Sequence, residues 1–147
     1  MSNSKDMLDI GKSPQTVNNE KVFLSCNITK YNDYGFRQER ILVLTNEAIY
    51  NINKKKVKKR IPYKDLEAIT MSTMSSEFVL HIKNSNDYRY LSFKQKAEIV
   101  EEILRILCAE IKLCSAFPVY NVPMINLQTI MTSHSLNDKG KSLLPDK

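Results

Sequence analysis

Seven short runs in which apolar residues recur at every second position, followed by one in which they recur at every third or fourth, decide what this chain can fold into. The first is KVFLSCNITK, where Val22, Leu24, Cys26 and Ile28 alternate with more polar neighbours, as a half-buried strand requires. Turn residues Asn32, Asp33 and Gly35 follow, and RILVLTNEAIYNI then reads as two strands joined by a tight turn at Thr45, Asn46 and Glu47. KVKKRIP places Val57, Lys59 and Ile61 on one face and Lys56, Lys58 and Arg60 on the other, until Pro62 ends it. LEAITMSTM is a fifth strand with Leu66, Ala68 and Thr70 inward; EFVLHIK is a sixth with Phe78, Leu80 and Ile82 on one face; DYRYLSF is the seventh.

From Phe93 to about Cys114 the period changes. Ala97, Val100, Ile103, Leu104, Leu107 and Ile111 form the stripe of an amphipathic helix, and Ser92 with Gln95 gives a capping-box start. Seven strands closed by one amphipathic helix is the element order of a pleckstrin-homology (PH) barrel. The expected fold is therefore α+β, mainly β: a PH-like seven-stranded antiparallel barrel capped by a C-terminal amphipathic helix. Its expected bounds are 21–113, after a polar leader 1–20 and before a tail 114–147.

Composition removes several chemistries. The three glycines, Gly11, Gly35 and Gly140, stand singly, so there is no glycine-rich phosphate loop of the P-loop or dinucleotide-binding kind. Cys26, Cys108 and Cys114 are odd in number and form no C-x-x-C pair, which argues against a disulfide framework or a zinc site and for a reducing compartment. Cys26 and Cys108 read as core residues and His81 as solvent-facing, while His134 lies in the tail, so neither nucleophile nor metal ligands assemble. No enzyme, cofactor or metal is expected. No apolar run approaches the roughly 18 residues of a membrane span, the start MSNSKDMLDIGK lacks a secretory core, and Ser2 excludes myristoylation. The expected location is cytoplasmic, at a membrane surface or on the cytoskeleton.

ITKYN, then RILVLTNEAIYNI, then KKRIPYKDLEAITMS with EFVLHI beyond it, resemble in order and spacing the tail homology domain of class I myosins. The resemblance covers roughly 21–110 and implies a PH-like fold that binds phosphoinositides and other anionic lipids. It matches Lys30 and Arg40 to the lysine and second-strand arginine that contact phosphate in that family. The expectation is a freestanding module without a motor.

The formal charge of +6 is unevenly placed: residues 21–60 hold ten basic and three acidic side chains, and KKKVKKR alone, at 54–60, holds six cations in seven positions. In a PH barrel the first, third and sixth strand connections share one end. Lys30, Arg37 and Arg40 would then meet Lys54, Lys55, Lys56 and Lys58, with Lys83 and Arg89 from the third connection. Such a cationic concavity suits phosphate oxygens. Asp33 and Glu39 set acidic groups among these cations, so weak electrostatic attachment is expected rather than specific head-group recognition.

The expected function is a non-catalytic PH-like adaptor whose basic rim binds anionic membrane lipid, a phosphoinositide above all. The alternative is a protein-interaction scaffold subunit of a larger cytoskeletal or organellar assembly, its rim facing an acidic protein surface. Nucleic acid is not expected, because the aromatic and glycine pattern of an RNA-binding sheet is missing. The tail is too apolar for a free linker, and Pro118 and Pro123 forbid one continuous helix there; it reads either as a strap on its own barrel or as a peptide docked on a partner protein.

Overall fold

The computed structural model describes residues 19–113 and 115–131. Most of the leader, Cys114, His134 and the end of the tail lie outside them. Among the described residues there are eight strands: β1 Val22–Tyr31, β2 Arg37–Thr45, β3 Ala48–Asn53, β4 Lys56–Pro62, β5 Leu66–Ser72, β6 Glu77–Ile82, β7 Tyr88–Leu91 and β8 Val119–Val122. Among the same residues one α-helix, α1, spans Lys96–Ala109, and short 3-10 turns lie at Tyr63–Asp65 and Gln128–Ile130. The strands form a single sheet in the order β4-β3-β2-β1-β7-β6-β5-β8. The seven expected strands pair antiparallel, but the sheet is open rather than a closed barrel, with β4 at one edge and β8 at the other. The eighth strand comes from the tail and runs parallel to β5, Ile69 opposite Val119 and Ser72 opposite Val122.

One core cluster takes side chains from β1 to β7 and from α1, so the sheet must curl around it. Leu42, Leu44, Ile49, Phe78, Leu80, Ile99 and Ile103 are fully buried there, each contributing about 1.5–3 kcal/mol of transfer free energy. The helix begins at Lys96, later than its periodicity suggests. Ser92 Oγ accepts the Gln95 amide at 3.1 Å, while the Gln95 side chain turns to Glu98 instead of closing the box.

Three bulges change which residues face inward. In β1 the extra residue is Phe23, between the pairs Val22–Thr45 and Leu24–Leu44, so Val22 joins the outer cluster while Leu24 packs on the core, and the two do not share the face that alternation suggests. In β4 the partners pass from Asn51–Lys59 to Ile52–Val57, leaving Lys58 extra. Val57 therefore packs outside with Tyr50 and Ile52, while Ile61 enters the core, so the two do not share a face as simple alternation suggests. In β5 the extra residue is Glu67, between the pairs Leu66–Ile82 and Ala68–His81. Ile69 consequently joins Leu66 in the core, and Ala68 and Thr70 turn outward. A bulge places two residues opposite one and flips every later side chain.

The outer face is closed by two buried charged groups. Glu20 accepts hydrogen bonds from Thr45 Oγ1 at 2.6 Å, Tyr50 OH at 2.9 Å and Arg60 at 2.8 Å. Glu77 receives both Nε (2.9 Å) and a terminal nitrogen (2.7 Å) of Arg89, and its Oε1 also accepts the Leu127 amide at 2.9 Å. This second pair fastens the strap that follows β8, whose Val122, Leu127 and Ile130 cover Val79.

Burial alone would raise the Glu20 carboxyl, but the bonds from Thr45, Arg60 and Tyr50 outweigh it and hold the group below its ordinary 4.5. A depressed carboxyl contributes stability above its unfolded value and loses it as pH falls through the folded one. Thermal melts should therefore fall steeply in acid below that ordinary value, and Glu20→Gln should lower the neutral-pH Tm and flatten this slope. Arg89→Ala strands the Glu77 carboxylate in the interior and should cost about 3–5 kcal/mol in a urea titration.

Candidate functional site

β1 and β2 pair along their whole length, with Ile28 opposite Arg40 and Lys30 opposite Gln38, and β7 joins on the other side with Tyr90 opposite Lys30. Residues directly opposite one another share a face, and side chains alternate along a strand. Ile28, Leu42 and Tyr90 are core residues. The next inward positions toward the β1–β2 loop are therefore Lys30 and Arg40, which stand at the mouth of the curl where the core ends.

Lys30 Nζ lies 4.8 Å from the centre of the Tyr88 ring and donates to the Tyr31 carbonyl at 3.4 Å. Burial, and then repulsion from Arg40, hold Lys30 below the usual lysine value, with Asp33 pulling the other way. Burial raises Tyr88, opposed by Arg40 and assisted by Asp33. Four side chains from β1, its loop, β2 and β7 thus form one electrostatic neighbourhood. Arg40 donates one terminal N–H to the Glu39 carbonyl at 2.8 Å, but its Nε is buried with no partner. Tyr90 OH and Asn51 Oδ1 are also buried and unpaired. Asn51 stands opposite Leu42 on β3, so all three groups belong to the inner face. Buried polar atoms of this kind are few in folded proteins and call for an explanation.

The remaining candidate cations separate into groups. Lys54 and Lys55 form the two-residue β3–β4 turn with φ of 50° and 70°, the left-handed geometry that matches such a turn to sheet twist and costs roughly 1–2 kcal/mol per side-chain-bearing residue. Lys56 stands opposite Asn53, and Lys59 opposite Asn51, on the inner face; Lys58 is the exposed bulge residue. Lys59 and Lys83 line a cavity of about 250 Å³ between β4 and the β6–β7 connection, with Asp65 on its wall. Arg37 is on the other face of the hairpin from Lys30 and Arg40, its guanidinium 5.8 Å from the Tyr31 ring. Arg89 does not reach the rim: it is buried against Glu77 and stacks on Tyr31 at 3.6 Å, because its position on β7 points outward.

Sequence reasoning misplaced two further groups. His81 is 2% exposed, not solvent-facing: its Nδ1 is 2.8 Å from Asp87 and its Nε2 is 2.7 Å from Thr70 Oγ1. The Glu67 bulge turns Thr70, which pairs with Val79, onto the outer face that also carries His81, a shift that alternation alone does not signal. The order hydroxyl, imidazole, carboxylate is that of a nucleophile relay, but Thr70 is wholly buried on a strand flanked by β6 and β8, so no substrate reaches it. Cys108 is exposed, whereas Cys26 is buried, its thiol pushed up to about 11 by burial and by Glu98. Among the described residues no group of three or more His, Cys, Asp or Glu is placed to hold a metal, and no helix is long and apolar enough to cross a membrane.

Solved structures with this architecture include the hSac2 domain of human phosphoinositide phosphatase Sac2, with a TM-score of 0.57 and 16% identity over 84% of this chain and 93% of that one. The N-terminal PH domain of human ARAP2 matches with a TM-score of 0.52 and 15% identity over 63% of this chain and 84% of its own. At these identities the likeness is one of fold, and that fold is PH-like. Among sequence relatives, unconventional myosin-Ic of Danio rerio is 34% identical over 112 residues, 74% of this chain and 10% of the relative. Unconventional myosin-Ic-A of Xenopus laevis is 28% identical over 76% of this chain and again 10% of the relative. The chain thus spans about a tenth of the length of these relatives. A family model described as unconventional myosin tail, actin- and lipid-binding, matches residues 2–142. Its description is of binding, not catalysis, and with nearly the whole chain matched, this protein belongs to the unconventional myosin tail family.

Proposed function

We propose that this module binds the phosphorylated head groups of anionic phospholipids, phosphoinositides first, at the mouth of the curled sheet, and so works as a non-catalytic adaptor at a membrane surface or on the cytoskeleton. The observation that carries the reading is the pairing of Lys30 and Arg40 on the inner face, close enough for Arg40 to depress Lys30, with a buried Arg40 Nε that has no partner. Two cations held together in a partly desolvated mouth repel each other until an anion enters, and a phosphate offers several oxygens to satisfy them at once. Tyr90 OH supplies a further donor on the same face. Lys54, Lys55, Lys56 and Lys58 add long-range attraction from the neighbouring hairpin, each worth about 1 kcal/mol near an anionic leaflet. Arg37, on the opposite face of the β1–β2 hairpin, joins this second group. Asp33 opposes it, which favours salt-sensitive attachment.

Vesicle co-sedimentation tests the reading. Wild type should bind phosphoinositide vesicles at physiological salt and phosphatidylserine vesicles only at low salt. Lys30→Ala with Arg40→Ala should abolish the first, and Asp33→Lys should strengthen both. A protein-only scaffold would leave all three forms indifferent to lipid. The same pairing fixes a titration: in NMR of the lysine side chains, Arg40→Ala should raise the Lys30 pKa without restoring its full ordinary value, because burial, the larger cause, remains.

A further inference from the structure

The tip of the β1–β2 hairpin carries two aromatic side chains that nothing in the fold uses. Tyr34 and Phe36 are 86% and 69% exposed, while the backbone beneath them is closely tied. Asn32 Oδ1 accepts the amides of Tyr34 at 2.8 Å and Phe36 at 3.0 Å. The Asn32 amide donates to the Phe36 carbonyl, and the Gly35 amide to the Asn32 carbonyl, both at 2.9 Å. Gly35, at φ +86°, supplies the left-handed turn, and a Cβ there would meet nothing within 4 Å. Four of the five amides from Asn32 to Phe36 thus have partners within the loop, and it holds the two exposed aromatic side chains on a tied backbone.

We propose that this tip is a membrane wedge: Tyr34 and Phe36 enter the boundary between head groups and acyl chains of an anionic bilayer while the cations behind them hold the phosphates. The inference rests on the lipid-binding reading above and adds an apolar component to it. Internal satisfaction of the loop amides is what entry into a low-dielectric layer demands, and aromatic rings with a polar or quadrupolar edge favour that boundary. Charge complementarity supports the same occupant. Arg37 opens β2 directly after Phe36, Lys30 and Arg40 lie one step behind on the inner face, and the Lys54–Lys55 turn lies at the same end of the sheet because β3 runs antiparallel to β2. Ile125 of the strap, 61% exposed, lines the same 520 Å³ cavity as Tyr34 and extends the apolar edge.

The chain contains no tryptophan, so Phe36→Trp or Tyr34→Trp gives a single emitter. On phosphatidylcholine vesicles carrying phosphatidylserine and phosphatidylinositol bisphosphate, both should shift to the blue and be quenched by lipids brominated near the head-group end of the acyl chain. Phe93→Trp reports from the far end of β7, where Phe93 is 76% exposed, and should not shift. Phe36→Ala should weaken vesicle binding about tenfold, roughly 1.4 kcal/mol, with an unchanged salt slope, and Phe36→Leu should restore it. Protein that sediments with unshifted tip emission, or with Phe93→Trp shifted equally, overturns the wedge while the head-group reading stands. If unsubstituted protein fails to sediment with any vesicle, both fall, and the tip belongs to a protein partner.

Discussion

The alternation of side chains along β1 and β2 is the constraint from which both the core and the mouth derive. The two strands stay paired from Leu24–Leu44 to Tyr31–Arg37, beyond the depth that α1 and the other sheet half can fill. Two residues advance the chain by about 6.6–6.8 Å, so one inward step converts Ile28 and Leu42 into Lys30 and Arg40 without leaving regular structure. The cations inherit their position from a hydrogen-bonded ladder rather than from a loop. Lysine side chains usually lose about 2 kcal/mol of rotamer entropy when fixed; here part of that freedom is already given up, with Lys30 laid over Tyr88. A rigid pair of like charges is unfavourable in isolation and is relieved when an anion neutralises both, and it is the regular ladder that holds these two together.

The buried ion pairs serve a different end. Glu20–Arg60 and Glu77–Arg89 each join segments distant in sequence, the first fastening the residue before β1 to β4 and the second fastening the strap to β6 and β7. Replacing such pairs by apolar residues would often be neutral or stabilising, whereas losing one partner leaves an uncompensated charge. Their value is therefore in register and attachment. Glu77 illustrates this, since the same carboxylate that neutralises Arg89 also receives the Leu127 amide and fixes where the strap crosses the sheet. Thr70, His81 and Asp87 make a further buried polar chain across β5, β6 and the β6–β7 connection.

Most of the sheet was legible because its strands obey a period of two and its helix a period of 3.6. Alternation could not reveal the insertions into it. Lys58 and Glu67 are ordinary surface-type residues with no glycine to mark a bulge, yet each reverses the facing of the residues after it, sending Ile69 inward and turning Thr70 to the face that carries His81. β8 was hidden for another reason: Val119–Val122 is four residues long, lies between Pro118 and Pro123, and pairs parallel with a strand about fifty positions earlier, so no local signal names its partner. The proximity of Lys30 and Arg40 was legible through the family pattern, whereas the unpaired state of Arg40 Nε, Tyr90 OH and Asn51 Oδ1 is a three-dimensional fact with no signature in one dimension.

The run KKKVKKR looks uniform as a string and is divided by the fold. Lys54 and Lys55 occupy a left-handed turn, Lys56 and Lys59 face inward beside Asn53 and Asn51, Lys58 bulges, and Arg60 is committed to Glu20 and Tyr50. One valine and one bulge produce this division: Val57 must reach the outer apolar cluster, and the extra residue then returns Ile61 to the core. A strand this rich in cations can still be anchored because its apolar residues face opposite sides of the sheet, one pinning each end. The charge is thereby parcelled between the exposed Lys54, Lys55, Lys56 and Lys58 of the hairpin tip, whose field reaches a Debye length of about 8–10 Å, and the half-buried Lys59, which lines the cavity beside β4. The bulge at Lys58 marks the boundary between these two environments.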